Sequence, residues 1–364
     1  MSAKNQLLFL TNIVNPYQLD LFEDLASYYD LSVIYFAKIE KDRSWDLSEK
    51  SNRYKSLILN SGFLNAVIKK ISHDLYFQLS IVPYLWRFSG SRVIISGSYY
   101  SPNTWLAIFI LKYRGLRVYW MGDQIMPRSS PMKRVLKRFF LWPIFSLFDG
   151  LLAVGHVAIE SYRSYGYSGP MVSVIHSISA LRFQGDFKKC NQVLRVVMPG
   201  SLIHRKGVDI GIKAFESALK VVKKPCELRV IGDGPLMPIF MRAYQGHPQI
   251  NFLGFKSPNE LDQELMSADI FLFCTRYDSW GVVVNEAISA GLPVIVSKQC
   301  GSSELVTREG GYVCESEDVG EFTKALINLI DNPTLRQLMS DHHLEIRTQL
   351  TSNIMAKKIY EFIS

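Results

Sequence analysis

The sequence predicts an α/β protein built from two doubly wound, Rossmann-like domains that face a central cleft. Three observations carry this. The chain has 364 residues, more than one ordinary core organises. Its 48% hydrophobic and 20% charged content is that of a globular protein. Short apolar runs also alternate with longer amphipathic stretches along its whole length.

In the first half, QLLFLTN, LSVIYFA, RVIISGS, LRVYWMG and GLLAVG read as buried parallel strands. RVVMPGS, ELRVIGDG, INFLG, DIFLFCT and PVIVSKQ read likewise in the second. Amphipathic stretches such as YQLDLFEDLASYY, DIGIKAFESALKVV and DVGEFTKALINLI supply helices between them. The polar segment Gln184 to Gln192 interrupts the rhythm and is the expected linker. Domains are therefore expected over residues 1–184 and 193–345, with a C-terminal helix over 346–364 packing back towards the first domain.

Several classes are disfavoured. The N-terminal apolar run breaks at Thr11, Asn12 and Asn15, unlike a secretory signal. The run Phe139 to Phe145, with Pro143 inside it, falls far short of the roughly 20 residues that span a bilayer. A cytoplasmic protein, at most resting on the inner face of the cell membrane, is expected. Cys190, Cys226, Cys274, Cys300 and Cys314 are scattered without a CxxC pair, so reduced thiols are expected rather than a zinc site or disulfides.

The net charge of +8 is uneven. Residues 1–190 hold 23 Lys and Arg against 13 Asp and Glu, a surplus of +10; residues 191–364 hold 18 against 20, which is −2. A basic first half suits a polyanionic partner. Lys133, Arg134, Lys137 and Arg138 lie at helical spacing beside Phe139, Phe140, Leu141 and Trp142, and Lys69 and Lys70 lie among further aromatics. Such a face rests on anionic lipid or is simply a solvated cationic face. Nucleic-acid binding finds no aromatic-basic, zinc-spaced or helix-turn-helix signature.

In open α/β sheets ligands bind beyond the carboxyl ends of strands, which directs attention to the loops there. GSLIHRKG offers Gly200 for close backbone approach, Ser201 beside it as a further donor-binding candidate, and Arg205 and Lys206 to neutralise phosphate; a basic surface turn reads the same way. VIGDGPL holds Gly232 and Gly234, but Met237 stands where a third dinucleotide-motif glycine belongs, so a tight strand–helix turn is expected and a nicotinamide enzyme disfavoured. TRYDSWGVVVNEA places Asp278, Ser279, Trp280, Gly281, Val282 and Val283 before and at a helix start, with Glu286 further along. Helix-start amides attract a pyrophosphate, and a carboxylate can bind the vicinal hydroxyls of a ribose.

Taken together, PGSLIHRKGVDIGIKAF, LRVIGDGPL, INFLGF, SADIFLFCTRYDSWGVVVNEAISAGLPVIVS and GSSELV resemble, in order and spacing, the retaining GT-B glycosyltransferases of family 4 (glycosyl transferases group 1). The resemblance covers residues 193–335 and is specific in combination. It implies that Asp278 and Glu286 form the family's E-x7-E pair, Glu286 on the ribose hydroxyls and Asp278 near the donor sugar. It also implies that the base rests near Phe255 and Lys256. The chain departs from the family in having Asp278 for the usual Glu, and Ser201 where Arg commonly follows the glycine.

Over the first half the resemblance is weaker, through NIVNPYQLDLFEDLA and VGHVAIESYRSYGY. Asp123, in GDQ after a strand, is a candidate contact to the donor sugar or a plain cap or turn residue. His156 reads as a surface or cap histidine, and His73 and His176 have no assignable partner. The implied reaction is retaining transfer from a nucleoside-diphosphate sugar, UDP or GDP before others, to a hydroxyl of a glycan or lipid-linked acceptor in bacterial surface-glycan synthesis. Asp278, Glu286, Lys206 and Asp123 are the catalytic candidates. No DxD follows a strand, so no essential metal is expected. The alternative is a non-catalytic GT-B subunit that binds nucleotide or supports a partner enzyme.

Overall fold

The computed structural model describes residues 5–38, 53–59, 65, 75–126, 130–178, 182–183 and 192–364. The chain divides into two compact units, residues 1–179 with 352–364, and residues 180–351. The expected divisions were at 184/193 and 345/346. Most of the expected linker, residues 184–191, lies outside the described residues, as do Lys69, Lys70, His73 and Cys190.

The first unit is built on seven parallel strands. These are β1 (Gln6–Ile13), β2 (Asp30–Ala37), β3 (Lys55–Ile58), β4 (Arg92–Ser96), β5 (Arg117–Gly122), β6 (Gly150–Val154) and β7 (Met171–Val174). Their order is β3-β2-β1-β4-β5-β6-β7, with Phe9 in register with Val33 on one side and Ile94 on the other. The five residues of β6 are all buried, as a central strand covered on both faces requires. The helix Pro16–Tyr28 is fixed at its start by Asn15, whose side chain accepts from the Tyr17 amide, with proline at the first turn.

The C-terminal helix Ser352–Ile363 belongs to this unit. Tyr360 stacks on Tyr28, and Arg92 donates to the carbonyl oxygens of Ile363 and Ser364 at 2.5 and 2.7 Å.

The second unit carries β8 (Leu194–Pro199), β9 (Cys226–Ile231), β10 (Ile250–Gly254), β11 (Ile270–Phe273), β12 (Val294–Ser297) and β13 (Gly311–Cys314). All are parallel, in the order β10-β9-β8-β11-β12-β13. Its core joins strand residues Val196, Leu228 and Leu272 to Phe215 of the helix Val208–Leu219 and Phe322 of the helix Val319–Asp331. Asp318 caps the latter by accepting from the Glu321 amide, and Ser257 with Glu260 forms a capping box on the helix Pro258–Ser267.

The strand order reverses between β8 and β11, which are hydrogen-bonded neighbours. Loops leaving the carboxyl ends of these two strands therefore meet at the sheet's switch point. The four described cysteines, Cys226, Cys274, Cys300 and Cys314, are buried free thiols. Among the described residues no helix is long and apolar enough to cross a membrane.

Candidate functional site

The loop after β8 runs from Gly200 to a single 3-10 turn, His204–Lys206, and ends on Gly207 in the left-handed region at φ 64°. A Cβ at Gly207 would lie 2.0 Å from the Cys274 carbonyl oxygen, so only glycine lets this loop close against the end of β11. The two loops are then laced together. The Arg276 amide and the Thr275 hydroxyl both donate to the Arg205 carbonyl, at 2.8 and 3.0 Å. The Arg276 guanidinium pairs with Asp209 at 2.8 Å and with Glu317 at 2.7 Å, bracing the start of the helix Val208–Leu219.

This lacing brings the basic loop onto the first acid. Lys206 Nζ donates to Asp278 Oδ2. Arg205 Nη1 lies 3.7 Å from the same oxygen and donates to the Tyr277 carbonyl at 2.8 Å. Asp278 itself is 8% exposed, and its backbone bridges to Cys300 in the loop after β12. The Gly301 amide donates to the Asp278 carbonyl at 3.1 Å. Three loops thus fix one carboxylate beside two cations.

The second acid stands on the helix that follows. Trp280 is buried, and its indole N–H donates to Asn285 Oδ1 at 3.1 Å. Gly281, at φ 85°, caps the helix Val282–Ser289; the Ser302 hydroxyl donates to its carbonyl at 3.0 Å. Ser279, Val282 and Val283 are half-buried around this start. Glu286 is 1% exposed and paired with Arg182, whose Nη2 lies 3.0 Å from Glu286 Oε1. Arg182 Nε also donates to Asp262 at 3.2 Å. Burial works against the Arg182 charge, but the carboxylates of Glu286 and Asp262 outweigh it and raise its pKa above the ordinary value.

The structure therefore groups Arg205, Lys206 and Asp278 directly, and sets Glu286 on the adjoining helix. Gly200 and Gly232 form a second close approach: a Cβ at Gly232 would lie 2.1 Å from the Gly200 carbonyl oxygen. Ser201 is exposed beside them. Phe255 and Lys256 follow β10 at the same end of the sheet, but at its edge, two strands from β8. Phe255 is exposed, and Lys256 lies 3.5 Å from Glu260. Sequence reasoning missed Arg182, which stands 104 positions before Glu286. No local signal marks it.

In the first unit, Asp123 Oδ1 lies 2.9 Å from His176 Nε2. The sequence assigns His176 no partner; the fold supplies Asp123. Strands β5, β6 and β7 are consecutive parallel neighbours, so residues just past their carboxyl ends come together although 53 positions apart. The next described helix along the chain starts at Pro131, behind Ser130. His156 opens the helix His156–Ser164 and is exposed.

Residues 183–344 match the family model described as Glycosyl transferases group 1. The chain is 32% identical over 146 residues to the GDP-mannose-dependent monoacylated alpha-(1-6)-phosphatidylinositol monomannoside mannosyltransferase of Corynebacterium glutamicum, covering 38% of each. It is 30% identical over 145 residues to the lipopolysaccharide glucosyltransferase WaaG of Escherichia coli, covering 39% of each. The chain spans about two fifths of the length of these curated relatives. Over 98% of both chains it superposes on the crystal structure of Anabaena HepE in complex with UDP, with a TM-score of 0.72 at 14% identity. That likeness shows the fold: two Rossmann-like α/β units of the GT-B class.

Proposed function

We propose that this chain is a retaining glycosyltransferase of family 4 that moves a sugar from a nucleoside-diphosphate sugar to a hydroxyl of a glycan or lipid-linked acceptor. The bacterial pathway class is surface polysaccharide or lipopolysaccharide synthesis, at the inner face of the cell membrane. The observation that carries this reading is the seating of Lys206 and Arg205 on Asp278 at the switch point, one helix start away from buried Glu286.

Each group has a role suited to its chemistry. Lys206 and Arg205 neutralise the donor diphosphate, together with the amides that open the helix Val282–Ser289. Glu286 accepts hydrogen bonds from the ribose hydroxyls. Asp278, one methylene shorter than a glutamate, faces the donor sugar, and Asp123 is a further candidate for the transfer chemistry. Phe255 and Lys256 border the base. The bond between the anomeric carbon and the diphosphate oxygen breaks as the acceptor oxygen bonds to that carbon. The departing phosphate oxygen takes the acceptor's proton, so no side-chain nucleophile is needed. The chain's own work is positioning and charge stabilisation. Because cations of the chain face the diphosphate, the reaction proceeds without an essential metal.

The HepE neighbour holds UDP and the mannosyltransferase relative uses a GDP sugar, which supports these two nucleotides as first choices for the donor. A thermal-shift panel of UDP, GDP, ADP and their sugars, with and without EDTA, tests the donor site, since a ligand of the folded state raises the melting temperature. One nucleotide class is expected to stabilise the protein whether or not EDTA is present, and Glu286→Ala to abolish transfer while leaving the fold intact. Transfer at the wild-type rate by Glu286→Ala would overturn the assignment. A second reading, a non-catalytic nucleotide-binding subunit, draws on the shortened Asp278 being already engaged by Lys206. Nucleotide stabilisation without any donor turnover would favour it.

A further inference from the structure

The helix Pro131–Phe145 in the first unit is anchored by Leu141, Ile144 and Phe145, which are buried in its core. At about 100° per residue, Met132, Val135, Leu136, Phe139, Phe140 and Trp142 fall within an arc of about 160° on the side opposite those anchors. All six are exposed, Phe139 by 73% and Trp142 by 70%. The apolar surface continues onto the neighbouring helix Pro102–Tyr113: Trp105 meets Phe140 at 6.2 Å and Phe109 at 5.8 Å between ring centroids, and Phe109 is 56% exposed. A soluble surface does not normally present so many large apolar side chains in one continuous stripe.

The charge around the stripe indicates what covers it. From Ser101 to Phe148 the sequence has eight Lys and Arg and a single acid, Asp123. On the helix, Lys133 and Arg138 fall at the two margins of the apolar arc, where long cationic stems reach headgroups while the stripe enters acyl chains. A bare apolar groove for a protein partner would not call for a cation along each margin.

We propose that this face is a membrane-docking surface: the helix Pro131–Phe145 lies in the plane of an anionic bilayer, with Phe139, Trp142 and Leu136 inserted among the acyl chains and Lys133 and Arg138 on lipid phosphates. This deepens the membrane part of the reading above and does not rest on the transfer chemistry.

The test uses the full chain, without nucleotide or acceptor, sedimented with vesicles of phosphatidylcholine alone or mixed with phosphatidylglycerol. The wild type is expected to bind the mixed vesicles. Phe139→Ser with Trp142→Ser is expected to bind them at least about tenfold more weakly, with an unchanged circular dichroism spectrum because both side chains are exposed. Lys133→Glu with Arg138→Glu is expected to lose the preference for phosphatidylglycerol. No binding by the wild type, or undiminished binding by Phe139→Ser with Trp142→Ser, would overturn the proposal. So would a wild-type dimer in light scattering that this pair of substitutions dissolves while vesicle binding is nil. A failure of sugar transfer with vesicle binding intact would count against the proposed reaction and leave this surface standing.

Discussion

Arg182 Nη2 stands 3.0 Å from Glu286 Oε1, so the most deeply buried acid of the site is held by a guanidinium that also engages Asp262. Each carboxylate of the candidate pair thereby has its own cation, Lys206 for Asp278 and Arg182 for Glu286. Taking an ionised Glu286 out of water is costly, and its pairing with Arg182 offsets that cost.

Arg182→Met is therefore expected to destabilise the protein by about 3–5 kcal/mol, the usual cost of removing one partner of a buried pair. Adding Glu286→Gln to the same chain should restore a substantial part of the loss, because the uncompensated charge is gone. Urea denaturation of the two single variants and the double variant closes the cycle. Additive losses would show that Arg182 and Glu286 are not energetically coupled.

Lys206 has a different position, with its side chain partly open to solvent and shared between Asp278 and the face of Phe273. Lys206→Ala is expected to weaken nucleoside-diphosphate binding by about 1.5–3 kcal/mol, as loss of one charge-assisted contact does. Calorimetric titration with UDP and GDP measures it. Unchanged affinity for both would remove Lys206 from the diphosphate site.

The strands that organise both units were legible as runs of apolar residues because parallel strands are covered on two faces. Three strands were not. In β3 the residues Lys55, Ser56 and Ile58 are exposed at a sheet edge; β7 and β13 are four-residue strands carrying Ser173 and Gly311. None of these offers a continuous hydrophobic signal. The site divides in the same way. Lys206 and Asp278 lie in loops that follow strands, and Glu286 came forward with Asp278 through the family resemblance of the stretch that holds both. Arg182 on Glu286 and His176 on Asp123 arise from pairing across 104 and 53 positions, which only the assembled sheets define.

A pH-dependent loss of stability is expected from His343, which lies fully buried on the helix Pro333–Ile346. Its Nδ1 is 2.7 Å from the Leu292 carbonyl oxygen, so that nitrogen carries the proton and donates. Burial, the largest influence, pushes the imidazole pKa from 6.5 down to about 4, against the pull of the Leu292 carbonyl. The unfolded chain therefore binds a proton at this residue at a higher pH than the folded chain does. The stabilisation is fully present above pH 6.5, falls as the pH drops towards about 4, and amounts to about 3 kcal/mol at most. His343→Asn keeps a donor for Leu292 but does not titrate. Its unfolding free energy should stay flatter than the wild type's between pH 6.5 and 4, leaving the slope that carboxylates impose in acid. Denaturation midpoints across that window decide the matter: a variant that follows the wild-type slope would show that His343 is not the group responsible.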